Sequence, residues 1–261
     1  MSLLKISNIS IQFGGLVAVS HFSLDINKGE IVSLIGPNGA GKTTVFNIIT
    51  GIYKPSRGNV FLDGEELVGK KTNQIAKRGI ARTFQNIKLF KHLTVFKNLE
   101  IAFHEIASYN LFDVCIQSNS FKKGEKRIQE QVYHMLELFS LEDRRNELAG
   151  NLPYGQQRKV EIARALAINP KVLLLDEPAA GMTFGEMNSL AELIRFCKER
   201  FSLGILLIEH QMAFVLNLSE RITVMNFGKI ISKGSPNFIQ RDPKVIEAYL
   251  GKRGLKLVAN S

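Results

Sequence analysis

The run Ile31-Val32-Ser33-Leu34-Ile35, followed by Gly36-Pro37-Asn38-Gly39-Ala40-Gly41-Lys42-Thr43, constrains this chain more than any other stretch. It reads as a strand, a glycine loop and a helix that opens over Thr44 to Thr50. Glycines at 36, 39 and 41 let successive backbone N–H groups curl inward, and the positive end of the helix points the same way. Together they make a concave anion site. In such a loop Lys42 bridges the β and γ phosphates of a nucleotide, and the Thr43 hydroxyl holds Mg²⁺. The strand before the loop and the helix after it argue against a chance match.

At 261 residues the chain suits one large α/β domain, or a core with a smaller lobe. Hydrophobic content of 45% and charged content of 22% are ordinary for a globular protein. Cys115 and Cys197 lie far apart without metal-ligand spacing, which fits a reducing compartment and two packing roles. No apolar stretch approaches the ~18 residues needed to cross a membrane. The amino terminus lacks a basic segment followed by an apolar one, so the expectation is no signal peptide and a cytoplasmic location. A net charge of +10 suggests an anionic partner, nucleic acid or a lipid surface. The basic pairs are scattered, from Lys70-Lys71 through Lys122-Lys123, Lys126-Arg127 and Arg144-Arg145 to Lys252-Arg253, and none is interleaved with aromatics. They read first as solvated surface and next as contacts to lipid headgroups.

Ile9, Ile11 and Phe13 alternate, as do Phe22, Leu24 and Ile26, so the first thirty residues read as antiparallel strands. Val60-Phe61-Leu62 before Asp63-Gly64 is another strand and turn. A helical texture runs from about Leu93 to Gln157, carried by Val132, Met135, Leu136 and Phe139; within it Tyr109 to Gly124 lacks a period and reads as a loop or insertion. Val172 to Leu175 and Ile205 to Ile208 are short apolar runs typical of parallel strands buried on both faces. Ile222 to Ile231 reads as a hairpin turning at Asn226-Phe227-Gly228. Ser235-Pro236 and Asp242-Pro243 each read as a helix N-cap with proline in the first turn.

The apolar strand ending in Asp176-Glu177-Pro178 puts two carboxylates at the carboxyl edge of a sheet, where open α/β sheets bind ligands. Successive side chains leave a strand in opposite directions, so the pair can divide its tasks. Asp176 can hold Mg²⁺ through water, and Glu177 can deprotonate the attacking water. Glu209-His210 ends the next apolar run in the same way, and there the imidazole can contact a γ-phosphate or that water. The other four histidines, at 21, 92, 104 and 134, read as packing or surface residues.

Leu152-Pro153-Tyr154-Gly155-Gln156, some twenty residues before Asp176, resembles the signature loop of ABC transporter ATPases. The motif order is also that family's: phosphate loop at Gly36, Gln85 within Arg82-Thr83-Phe84-Gln85, signature at Leu152, acids at Asp176 and Glu177, then His210. The resemblance covers the whole chain. It implies a RecA-like P-loop NTPase core with an N-terminal antiparallel β subdomain (residues 1–91 and 158–261) and an inserted helical subdomain over 92–157. It also implies an ATP site of Phe13 and Gly36 to Thr44, with Phe13 stacking on adenine. Mg²⁺ then falls to Thr43, Gln85 and Asp176, and catalysis to Lys42, Gln85, Glu177 and His210. Residues 13–19, 82–85, 177–182 and Glu247-Ala248-Tyr249-Leu250-Gly251 resemble more narrowly the larger ATP-binding subunit of branched-chain amino-acid importers. That resemblance implies two membrane-spanning permease subunits, a second ATPase subunit that is a related chain or a copy, an extracytoplasmic binding protein, and a peripheral place on the cytoplasmic face.

Two positions depart from the family pattern. Pro153 stands where the signature serine is usual, and Met182-Thr183 where Leu and then Asp or Asn are common. Both stretches are expected at the subunit interface, which puts symmetric hydrolysis in question. Among alternatives, a GTPase needs Asn-Lys-x-Asp, and the nearest match, Asn27-Lys28-Gly29-Glu30, fails at its last position. A nucleic-acid-repair ABC ATPase would carry a long coiled-coil or zinc-bearing insertion that this chain lacks, so no nucleic-acid partner is expected. A lipopolysaccharide-export ATPase and a urea or amide importer share the size and motif order; Arg82 to Gln85 and the Ala-Ala-Gly after Pro178 favour amino acids.

Overall fold

The computed structural model describes residues 2–105, 113 and 117–249. Two compact units divide the chain: Met1–Gln85 with Lys171–Ser261, and Asn86–Pro170.

The first unit holds two sheets. Strands β1 (Leu4–Phe13), β2 (Leu16–Ile26), β4 (Arg57–Leu62) and β5 (Glu65–Glu66) form an antiparallel sheet in the order β2-β1-β4-β5. Alternation puts Leu4, Ile6, Ile9 and Ile11 of β1 inside. Register shifts break the β1–β2 pairing after Ile6 and Ile9, and Phe13, next in the apolar series, is 44% exposed. The second sheet runs β10-β9-β3-β8-β7-β6, built from β3 (Ile31–Ile35), β6 (Ile80–Arg82), β7 (Val172–Asp176), β8 (Gly204–Ile208), β9 (Arg221–Asn226) and β10 (Lys229–Gly234). Four of its five pairings are parallel; at the edge β10 returns antiparallel to β9. Every residue of β3, β7 and β8 is buried, as expected of strands covered on both faces. One face, with Val32, Leu34, Leu174 and Leu206, shares a core with the antiparallel sheet and with Val45, Phe46 and Ile49 of the helix Lys42–Ile49. The other face carries a smaller cluster in which Ile35, Ile222 and Val224 meet Val215, Ile239 and Val245.

Ser235 caps the helix Pro236–Arg241, and the Asp242 carboxylate accepts the Lys244 N–H at the start of the helical stretch 243–249. Both capped starts follow the sequence reading. Leu250, Gly251, Lys252 and Arg253 lie outside the described residues, as does Cys115.

In the second unit the helix Val95–His104 lies against the helices Asn119–Leu138 and Tyr154–Leu166. Asn98, fully buried, is a staple: its carbonyl oxygen accepts from the Phe90 N–H (2.9 Å), and its amide donates to the carbonyls of Phe90 and Thr94 (3.1 and 3.0 Å). The expected loop Tyr109 to Gly124 needs correction over its last residues, because the long helix already starts at Asn119. Ser118 caps that start by accepting the Phe121 N–H, and the stripe Ile128, Val132, Met135 and Leu136 holds the helix down. Gly124 is carried inside it at a cost of about 1 kcal/mol relative to alanine. Residues 109–112 and 114–116 of the expected loop are outside the described residues.

Candidate active site

Beyond Ile35 the chain turns through Gly36, Gly39 and Gly41, with φ of 151°, 80° and 100°, into the helix Lys42–Ile49. Space as well as backbone angle demands two of these glycines. A Cβ at Gly36 would lie 2.1 Å from the Met225 carbonyl oxygen, and one at Gly41 2.5 Å from that of Ala18. The loop is thus wedged between β9 and β2. Gly41 is the helix N-cap and has no side chain to satisfy the first-turn N–H groups, which face the hollow of the loop. The Lys42 ammonium donates to the carbonyls of Gly36 (2.7 Å) and Pro37 (3.0 Å), folding over the loop from inside. Burial lowers the Lys42 pKa from the ordinary lysine value, while the nearby charges of Glu177 and Asp176 act to raise it.

A cleft of about 460 Å³ opens above this loop. Asn38 through Thr44 and Glu177 form its polar side; Phe13, Leu16, Val17 and Phe227 form an apolar wall. Phe13 stands edge-on to Tyr53, with ring centroids 5.1 Å apart. Gly36 and Pro37 do not line the cleft; their carbonyls hold Lys42 instead.

Strand register brings the remaining candidates to the same edge. Arg82 pairs with Leu174, Asp176 with Ile208, and Ile208 with Leu34, so β6, β7, β8 and β3 end together. Glu177 follows with φ 45°, a left-handed conformation that costs a non-glycine residue about 1 kcal/mol or more. Its N–H is held by the Ile208 carbonyl (2.9 Å). This turn aims its carboxylate at two partners: Gln85 Nε2 donates to Oε2 (2.7 Å), and His210 Nδ1 lies 3.6 Å from the same oxygen. Gln85, Glu177 and His210 are therefore brought together. Such a carboxylate, touching an imidazole and opening on the cleft, is placed to accept a proton.

Asp176 has a different neighbour. Its Oδ2 accepts from Arg82 Nη2 (2.7 Å), and the pair is nearly removed from solvent. Arg82 Nη1 donates to Asn47 Oδ1 (2.8 Å), and the guanidinium sits over the rings of Phe46 and Phe84, at 5.4 and 5.1 Å. The motifs give Arg82 no role of its own. Its signal was available: a cation at the end of a buried strand requires a buried anion. The motifs give Glu209 no role either. It is fully buried, and its carboxylate accepts from the N–H groups of Ala179 (2.8 Å), His210 (3.0 Å) and Gln211 (3.3 Å).

The model of the family described as "ABC transporter" matches residues 19–180. The chain belongs to the ABC transporter family. Its cassette is an ATPase, and it binds nucleotide. A second model, described as "Branched-chain amino acid ATP-binding cassette transporter", matches residues 229–254. The cassette is 43% identical to the high-affinity branched-chain amino acid transport ATP-binding protein BraF of Pseudomonas aeruginosa, over 96% of this chain and 98% of that one. LivG of Escherichia coli, of the same description, is 44% identical over the same shares. The lipopolysaccharide export system ATP-binding protein LptB of Haemophilus influenzae is 36% identical over 97% and 99%. Among solved structures, the ADP conformation of an ATP-binding cassette of an ABC transporter superposes with a TM-score of 0.84 at 33% identity, covering 97% of this chain and 100% of that one.

In the second unit of the cassette, Leu152 is buried, and its carbonyl accepts from Gln157 Nε2 (2.8 Å). Pro153 is the N-cap of the helix Tyr154–Leu166 and provides no side-chain cap. The first intrahelical bonds run from the N–H groups of Gln156 and Gln157 to the Pro153 carbonyl, so the amides of Tyr154 and Gly155 come before them. The Tyr154 hydroxyl accepts from Arg158 Nη2 (3.0 Å), and Arg158 is fully buried against Glu161 (2.5 Å). At the other departure, Thr183 caps the helix Phe184–Phe201 in a reciprocal box with Glu186. Capping is also what Asp or Asn does well, so the substitution keeps the helix start intact.

Proposed function

We propose that this chain is the ATP-binding and ATP-hydrolysing subunit of an importer for branched-chain amino acids. The observation that carries the hydrolytic reading is the convergence of Lys42, Gln85, Asp176, Glu177 and His210 around one sheet edge beside the cleft. The adenine lies against Phe13, and the phosphates rest on the amides from Asn38 to Thr44, with Lys42 exchanging its loop carbonyls for phosphate oxygens. The Thr43 hydroxyl, the Asp176 carboxylate and the Gln85 amide oxygen are all oxygen donors and suit Mg²⁺, which takes one or two protein carboxylates together with substrate phosphates. Bound Mg²⁺ neutralises charge on the transferring group. Glu177 takes the proton of the attacking water, while Gln85 and His210 hold its Oε2 in line.

The loop Leu152 to Gln156 serves the ATP bound by a second ATPase subunit, to which Tyr154 and Gly155 offer their amides. Two membrane-spanning permease subunits and, through them, an extracytoplasmic binding protein complete the assembly, with this chain peripheral on the cytoplasmic face. Branched-chain amino acids as cargo are supported by the match over residues 229–254 and by relatives at 43% and 44% identity, against 36% for the lipopolysaccharide relative.

Glu177→Gln tests the reading. The amide keeps shape and one acceptor, so ATP binding should persist while turnover in the assembled complex falls by about 10²–10⁴-fold. Lys42→Ala should weaken nucleotide binding itself. Wild-type hydrolysis by Glu177→Gln would refute the assigned base. Uptake of labelled leucine into vesicles holding the complex tests the cargo, and ATP-dependent uptake that excludes leucine, isoleucine and valine would overturn it.

A further inference from the structure

The turn between β9 and β10 is built against its own sequence preference. Asn226 pairs with Lys229, leaving Phe227 and Gly228 as the two central residues, with φ of 44° and 76°. Two positive φ values in a two-residue hairpin define a type I′ turn, whose first position is strongly preferred by Asn, Asp or Gly. A phenylalanine there carries backbone strain. Nor does its ring repay the fold, since Phe227 is 86% exposed. The turn is nevertheless held firmly. The Gly228 N–H donates to the carbonyl of Ala40 in the phosphate loop (3.1 Å), its carbonyl accepts from the Ser20 N–H (2.8 Å), and a Cβ at Gly228 would lie 2.8 Å from the Ala18 carbonyl oxygen. A strained, water-exposed aromatic on a pinned turn stands at the cleft that Phe13, Lys42 and Thr43 also line.

We infer that Phe227 is a second base-contacting residue, so that the cleft receives the planar base of the nucleotide with two aromatic side chains rather than with Phe13 alone. Stacking on a base recovers the apolar burial that the exposed ring lacks, and every base offers a π face for it. Gly228 binds the turn to Ala40, so the distance between the ring and the phosphate loop is fixed before the ligand arrives, which lowers the entropy cost of binding.

This inference rests on the nucleotide reading given above, and the test separates the two. Calorimetric titration of the purified chain with ATP and with inorganic tripolyphosphate, which has no base, is run on wild type, Phe227→Asn and Phe227→Tyr. Asparagine suits the first position of the turn, so Phe227→Asn should unfold at the wild-type temperature or above it. It should bind ATP about tenfold more weakly, with its tripolyphosphate affinity unchanged. Phe227→Tyr, which keeps the ring, should bind ATP like wild type. Unchanged ATP affinity in Phe227→Asn would overturn the inference, including the case in which the ring serves a partner protein instead. Equal losses for ATP and tripolyphosphate would overturn it too, because the turn would then act through Ala40 on the phosphate loop. Wild type that bound tripolyphosphate but not ATP, or neither, would refute the nucleotide reading itself.

Discussion

A carboxylate shut away from water, Glu209 accepts three backbone N–H groups from the segments that follow β7 and β8, one of them that of His210, whose ring Nδ1 lies 3.9 Å from the same carboxylate. Hydrogen bonds to a charged acceptor contribute roughly 1.5–3 kcal/mol each in mutational series. Glu209→Gln loses the charge and turns an NH₂ toward donors, so the unfolding free energy in urea should fall by about 2–3 kcal/mol. An unchanged midpoint would show that the three amides find other acceptors. Cys197 supports a second expectation at this scale. Burial raises its thiol pKa to about 12, so it stays protonated and unreactive. In a Cys115→Ser background the native chain should resist a water-soluble thiol reagent at pH 8 and react once unfolded. The sign with pH follows: above the ordinary thiol pKa the unfolded chain ionises and the folded one does not, so this residue lowers stability as pH rises toward 12. The sequence carried Lys42, Asp176 and Glu177 plainly, because Lys42 closes the glycine loop and the two acids end an apolar run. It carried Glu209 and Arg82 poorly, since a buried charge is read together with its partners, and Ala179 and Asp176 lie 30 and 94 residues away from them.

Among the elements, the helix Tyr154–Leu166 begins on a proline where a serine cap is usual in the family. Pro153→Ser adds a cap worth about 1 kcal/mol but releases roughly 0.4–1 kcal/mol of unfolded-chain entropy. The two offset, so the thermal midpoint should stay close to wild type. Any rise in hydrolysis at the partner's site, measured with Glu177→Gln in this chain, then reports the new hydroxyl and N–H rather than a firmer helix. An unchanged rate would mean that Tyr154 and Gly155 already suffice, and a lower one that the proline holds the loop in the better geometry. The β hairpins and buried parallel strands could be read from period and turn residues, because those signals are local. The start of the helix at Asn119 could not, since Phe121, Lys122, Lys123 and Gly124 show no period until Ile128 and Val132 anchor the helix on its neighbour.

For the molecule as a whole, no helix among the described residues is long and apolar enough to cross a membrane, and the net charge is +10. Expressed alone, the chain should at most adhere to anionic membranes in a way that ~0.5 M salt reverses, because screening shortens the reach of surface charge to a few ångströms. Expressed with its permease subunits, it should sediment with them and survive that wash. Salt-resistant attachment in their absence would count against a peripheral subunit. The edge where β3, β6, β7 and β8 end together has a further consequence, for folding. Lys42, Gln85, Glu177 and His210 are distant in sequence and meet only when these parallel strands are in register. Such non-local pairings close late and slowly. A partly formed chain therefore has no complete nucleotide site, and nucleotide, binding only the finished one, draws the population toward it by mass action. In a cell that holds ATP well above the dissociation constant, the substrate also acts as a late folding ligand for its own enzyme.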